Sequence, residues 1–283
     1  MGILSGLARM GLGNLEKADL YAKEEEKQNA PEEKKKEPSK SAVEIETELI
    51  FDKTYDCPCC GEKFTSKTVK NGKAKLIRQD KDLRPIYQGI DPLKYDVVSC
   101  PKCGFSALTK FFGVIAQPQV KLIKENISRT FKRLPTHELI TYEEALHYYK
   151  LALANTIVKK GKDSEKAYTC LRMAWVVRGM REELDEKGGA DATLLKELKA
   201  DEAELLHNAL EGFVSARQTE HGAVAGMDQN TLDYLLAVLY LQEHKYEESG
   251  RLVSSIITSA SANPRIKDKA RDLKDEILKA KGN

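Results

Sequence analysis

The spacing of apolar and polar residues changes period along the chain, and the change divides it into regions. Over residues 46–117 short runs such as "KTYD" and "YDVVSC" read as strands, each leading into a pair of cysteines. "TSKTVKNGKAKLI" sets Asn71-Gly72 between two strand-compatible runs, the pattern of a tight type I′ hairpin. From about residue 118 the period becomes helical. Val120, Ile123, Ile127 and Phe131 predict one helix ending near Pro135, and Tyr142, Ala145, Leu146, Tyr149, Ala152, Leu153 and Ile157 predict a second. Asp163 or Ser164 is placed to cap a third, with Tyr168, Leu171, Ala174 and Trp175 on one face and Gly188-Gly189 as its stop. Leu195, Leu198, Leu206, Leu210 and Phe213 mark a long fourth helix. Two more helices and a tail occupy 231–279, with Pro264 as a break.

The first 45 residues follow neither period. Residues 1–21 hold a small apolar motif (Ile3, Leu4, Leu7, Met10, Leu12, Leu15, Leu20) interrupted by glycines. Residues 22–45 alternate blocks of Glu and Lys with two prolines. That composition buries too little apolar surface to offset the entropy of ordering, so 22–45 is expected to be a disordered linker. The expected domains are 1–21, 22–45, a β-rich segment 46–117 and a helical segment 118–283.

Paired helices about 35 to 45 residues apart prompt a search for repeats. "TLDYLLAVLYLQEHKYEESGRLVSSIITSASANP" looks like a tetratricopeptide (TPR) repeat, with Leu236, Ala237, Tyr240, Tyr246, Ser249, Val253 and Ile256 at consensus spacing, although Pro264 comes late. "YEEALHYYKLALA" resembles the second helix of another unit. The fold class expected is α+β: a small β-rich zinc ribbon followed by an all-helical, TPR-like domain.

Composition narrows the classes. No apolar run approaches the ~18 to 20 residues of a membrane span. The N-terminus lacks a basic region before a continuous apolar core, and Gly6 stands where myristoylation needs Ser or Thr, so a soluble cytoplasmic protein is expected. Lys and Arg total 46 against 44 Asp and Glu, which gives no global reason for nucleic-acid binding. Residues 50–118 alone are basic, with 12 basic and 7 acidic side chains.

Five of the six cysteines lie in that basic segment. Cys57-Pro58-Cys59-Cys60-Gly61 and Cys100-Pro101-Lys102-Cys103-Gly104 are both C-P-x-C-G knuckles. In such a turn both sulfurs face one point, backbone N–H groups aim at them, and the glycine takes the positive φ that closes the loop. Two knuckles supply four thiolates in a tetrahedron, so Cys57, Cys60, Cys100 and Cys103 are the predicted ligands of one structural Zn2+. The intervening 39 residues exceed the usual ~15 to 20, and an inserted hairpin accounts for the excess. Rubredoxin-like iron uses nearly the same knuckles and stands as the alternative metal. A disulfide pair is disfavoured in a cytosolic chain, and a thioredoxin-type motif lacks its βαβ setting. Cys59, at the variable position, is expected to be a free, partly exposed thiol.

The knuckles, the stretch "RQDKDLRPIYQGIDPLKYDVVSCPKCGFSA" and the TPR-like tail together resemble an uncharacterised bacterial family annotated only as a domain of unknown function. Asp80, Asp82, Tyr87, Pro92 and Tyr95 match its intervening motif. The resemblance supports the architecture and implies no reaction.

Other chemistry is thin. Asp80 and Asp82 are a paired carboxylate only in principle, because Arg78, Lys81 and Arg84 stand ready to pair with them. The five histidines are scattered without metal spacing, Cys170 reads as a small buried apolar residue, and no nucleophile elbow or phosphate-binding glycine loop occurs. The leading expectation is a non-enzymatic, zinc-stabilised adaptor whose helical groove binds a protein or peptide partner. The alternative is nucleic-acid or ribosome association through Lys63, Lys67, Lys70, Lys73, Lys75 and Arg78. An iron or thiol redox role comes third.

Overall fold

Ser41, the first described residue, is a helix cap. Its hydroxyl accepts from the Glu44 N–H at 3.3 Å while the Glu44 carboxylate accepts from the Ser41 N–H at 2.8 Å, a reciprocal pair that starts α1 (Ala42–Leu49). The computed structural model describes residues 41–282, apart from 114, 134, 136, 189 and 190. The apolar motif of 1–21 and the linker up to residue 40 lie outside the described residues. The last part of the expected linker is a correction: residues 42–45 are helical, because the Ser41 cap satisfies the first free N–H groups of α1.

The β-rich half consists of three two-stranded antiparallel sheets. β1 (Ile50–Asp56) pairs with β2 (Lys63–Val69), Tyr55 opposite Phe64. β3 (Leu76–Gln79) pairs with β4 (Pro85–Tyr87), and β5 (Val97–Ser99) pairs with β6 (Ser106–Leu108). The hairpin expected at Asn71-Gly72 is therefore corrected. β2 already has β1 as its partner, closed by the first cysteine knuckle, and the Asn71-Gly72 turn only links one hairpin to the next. Gly72 adopts φ 70°, but Asn71 has no positive φ, so the type I′ geometry is not formed.

The helices follow. α2 (Gln117–Ile123) widens into a single π turn, Lys124–Ser128, and ends before the Phe131 that the period had included. Then come α3 (Tyr142–Val158), α4 (Asp163–Lys187), α5 (Ala192–Thr219), α6 (Gln229–Gln242), α7 (Tyr246–Thr258) and α8 (Pro264–Lys281). Two cap expectations change. The residue before α4 is Lys162, which makes no side-chain cap. Asp163 instead accepts from Ser215 Oγ at 2.6 Å, and Ser164 Oγ donates to Glu220 at 2.7 Å, so both hold α5 and its end against α4. Pro264 begins α8, where its missing N–H costs nothing. The fold is α+β, a small β-rich ribbon followed by a helical domain.

The two halves share buried contacts. Leu93, Val97 and Leu108 from the ribbon belong to the same core cluster as Tyr149, Leu171, Trp175, Leu210 and Phe213 from α3 to α5. Polar groups add direction. The turn after β3 delivers Asp82, 1% exposed, to α4, where it accepts from Trp175 Nε1 at 2.9 Å and Arg178 Nη2 at 2.6 Å. Arg178 also donates to Glu202 on α5 at 2.6 Å. Burial works to lower the Arg178 pKa, but the bonds to Asp82 and Glu202 outweigh it and hold it above its ordinary value. Arg84 reaches Glu182 at 2.8 Å, Tyr142 donates to Asp91 at 2.8 Å, and Arg172 donates to Asp96 at 2.7 Å. Among the residues matched to the family motif, Tyr95 donates to Glu46 at 2.7 Å, and Pro92 opens the 3-10 turn Pro92–Tyr95 that seats Leu93 in the core. Asp80 does pair with Arg78 and Arg84, but the principal partner of Asp82 is Arg178.

Removing Asp82 takes the closest partner from the Nη atoms of a largely buried guanidinium, which keeps Glu202 at its Nε, and leaves the indole N–H of Trp175 without its acceptor. Asp82→Ala should lower unfolding stability by about 3 to 5 kcal/mol in chemical denaturation, whereas Lys121→Ala, which breaks only an exposed contact with Glu125, should cost less than about 0.5 kcal/mol. Equal effects of the two substitutions would show that the Asp82 cluster does not anchor the ribbon.

Candidate metal centre

Two hairpins with the same chemistry meet at the predicted ligands. In the first, the Cys57 N–H donates to the Glu62 carbonyl at 2.8 Å and the Gly61 N–H to the Cys57 carbonyl at 2.9 Å. The second repeats this, with Cys100 N–H to the Phe105 carbonyl at 2.9 Å and Gly104 N–H to the Cys100 carbonyl at 3.1 Å. Gly61 and Gly104 take φ of 75° and 73°, a conformation that side chains rarely adopt. β1 and β2 hold the first turn, β5 and β6 the second.

The four sulfurs that result lie within 4.8 Å of one another. Cys57 Sγ is 3.6 Å from Cys103 Sγ, and Cys60 Sγ is 3.7 Å from Cys100 Sγ. A tetrahedron with metal–sulfur distances of about 2.3 Å has edges of about 3.8 Å, so the cage is sized for a tetrathiolate metal. None of the cysteines forms a disulfide. The contact with Cys103 and burial together push the Cys57 thiol up, and burial above all pushes Cys100 up to about 11. Such thiols give up their protons readily only to a cation that takes their place. Four protein ligands fill a tetrahedral shell and leave no position for water or substrate.

The surroundings fix the second knuckle more firmly than the first. Asn155 Nδ2, on the buried face of α3, donates to the Gly104 carbonyl at 2.9 Å, and Ser128 Oγ in the π turn donates to the Cys103 carbonyl at 2.8 Å. A Cβ at Gly104 would stand 2.5 Å from Phe131 Cγ, while one at Gly61 would meet nothing within 4 Å. Lys102 and Glu62, 2.9 Å apart, tie the two turns together at the surface. Phe105, Phe112, Phe64 and Tyr55 make a chain of ring contacts beneath them.

Cys59 corrects an expectation. It is 5% exposed and shares a buried cluster with Val120 and Ile123 of α2, so the thiol faces protein rather than solvent. Burial raises its pKa, opposed in part by a hydrogen bond with Cys103. Knuckle spacing alone does not reveal this, because α2 lies some 60 residues along the chain. Cys170 is buried as expected, its thiol pushed up to about 11 by burial.

The basic residues do not form one free surface. Lys67 pairs with Asp52 across β1 and β2 at 3.1 Å, Lys70 donates to the Glu48 carbonyl at 2.7 Å, and Arg78 pairs with Asp80. Lys63 stands opposite Asp56 in the register. Lys73 and Lys75 lie in the link between β2 and β3.

Replacing a ligand and replacing its neighbour should differ. Cys60→Ser should abolish stoichiometric metal in the purified chain, measured by elemental analysis. Cys59→Ser should keep the metal and cost about 1 to 3 kcal/mol in unfolding stability, because it buries a hydroxyl. Metal loss in Cys59→Ser would place Cys59 in the coordination shell.

Comparison with known proteins returned a single likeness. No curated protein and no solved structure matches the chain. Residues 50–277, from the start of β1 into α8, match one family, and both knuckles and the strut at Asp82 fall inside that match. The chain therefore belongs to the family described as an uncharacterized protein conserved in bacteria (DUF2225).

Proposed function

We propose that the protein is a non-catalytic, zinc-stabilised interaction protein whose helical hairpins are TPR-like and present a concave surface to a protein partner. The observation that carries this reading is the closed cage: four buried or half-buried sulfurs satisfy one metal completely, so the metal holds a shape and does not turn over a substrate. Zinc suits four thiolates at tetrahedral spacing and needs no redox partner. Reduced thiolates also suit the cytoplasm. No helix among the described residues is long and apolar enough to cross a membrane.

Two features support the TPR-like reading. α6 and α7 cross at small residues, Ala237 and Ser249, both fully buried, with Ser249 Oγ donating to the Ala237 carbonyl at 2.7 Å. α3, α4 and α5 enclose a groove of about 650 Å3. A cavity of that size is within the range that accommodates a ligand or a peptide side-chain row.

Elemental analysis of the purified chain should give about one zinc per molecule, and a red iron chromophore would overturn the zinc assignment. Association with partners from cell extract should survive nuclease treatment. An association lost to nuclease and steeply dependent on salt would move the function to Lys63, Lys67, Lys70, Lys73, Lys75 and Arg78.

A further inference from the structure

The groove between α3, α4 and α5 has a definite length, an apolar floor and walls of unequal charge. Its floor is one face of α4, running from Asp163 through Cys170 and Met173 to Val177. The fourteen rises of 1.5 Å between Asp163 and Val177 make a trough of about 21 Å, the length of a four-turn helix. Leu153 and Ile157 on α3 and Leu205 on α5 complete the apolar lining. Ile157 is 58% exposed, although the period of α3 places it on the apolar stripe with Leu146 and Leu153. Met173 adds an adaptable floor that can shape itself to different side chains.

The charges differ by wall. α5 lines its side with Asp201, Glu204 and Glu211, all exposed and on one stripe of the helix, and none of them makes an ion pair among the described residues. The α3 side offers Lys150. Near the start of α4, Lys166 and Asp163 pair with each other at 2.9 Å and leave no net charge there. Three carboxylates along one wall repel one another and any phosphate chain, and cationic side chains lying against them relieve that repulsion.

We propose that this groove receives a basic amphipathic helix of a partner protein, about four turns long, with its apolar stripe on Met173 and Ile157 and its Lys or Arg residues along the α5 wall. The proposal rests on the reading of the helical domain as a partner-binding surface and assigns the partner's chemistry. The trough has the length of such a helix, and the three carboxylates along the α5 wall select the sign of its flank.

The test is a selection from a displayed library of random 18-residue peptides on the full, metal-loaded chain. The variants Ile157→Asp and Asp201→Lys/Glu204→Lys/Glu211→Lys serve as counter-targets, since all four positions are exposed and none holds the core. Enriched peptides should carry apolar residues at helical spacing with Lys or Arg on one flank. Their affinity, read by fluorescence anisotropy, should fall at least ~10-fold in each variant, the effect of losing one central contact or a matched charge row. Affinity of the basic peptides should also weaken as salt is raised. Enriched peptides that are acidic or uncharged yet still need Ile157 would overturn the basic helix and leave the groove standing as a binding surface. Peptides indifferent to Ile157, self-association of the chain through the groove, or no enrichment would overturn the groove as well.

Discussion

Four cysteine sulfurs within 4.8 Å of one another carry a charge problem that the rest of the ribbon is arranged around. As thiolates they repel, and as thiols Cys57 and Cys100 are held protonated by burial and by their thiol neighbours. A metal cation bound there would resolve both difficulties and join two hairpins whose turns are about 40 residues apart in sequence. With three separate two-stranded sheets and no continuous one, the ribbon has little hydrogen-bonded structure of its own to keep those hairpins in register. The cage and the aromatic chain of Phe105, Phe112, Phe64 and Tyr55 supply what a larger sheet would have provided.

The second constraint is the attachment of the 80–96 stretch to α4. Asp82, Arg84, Asp91 and Asp96 all reach side chains on α3 or α4, and Leu93 enters the helical core. The long gap between knuckles is therefore a strut as well as an insert. The family match likewise spans both halves, from β1 into α8. The ribbon and the helices are built as one piece, and a partner docking on the helices would meet a surface whose back is braced by the cysteine-bearing half.

Local signals were legible in the sequence and long-range ones were not. The C-P-x-C-G spacing identified Cys57, Cys60, Cys100 and Cys103 because the turn itself dictates where both sulfurs point. The helices from Tyr142 onward were legible because apolar residues recur along them at helical spacing, even in α6, where residues 232–239 are buried on every side. The hairpin at Asn71-Gly72 misled because turn propensity is local while strand pairing depends on the whole fold, in which the partner of β2 is β1. Asp82 could not be matched to Arg178, 96 residues away, because only the folded chain brings α4 beneath the turn. The burial of Cys59 depends in the same way on where α2 comes to rest. The basic run from Lys63 to Arg78 looked like a surface in one dimension, but the register of β1 and β2 sets acids opposite part of it.

The two knuckles share a backbone but not an environment, and that asymmetry has a kinetic consequence. Cys100 is wholly buried and Gly104 is roofed by Phe131, whereas Cys60 is half-buried and Gly61 faces open space. A chelator or an electrophile approaching the cage meets the sulfur of Cys60 before any other. Metal exchange would therefore have a direction: an ion would enter and leave past the first turn, while the second, packed under Phe131, would keep the site's shape.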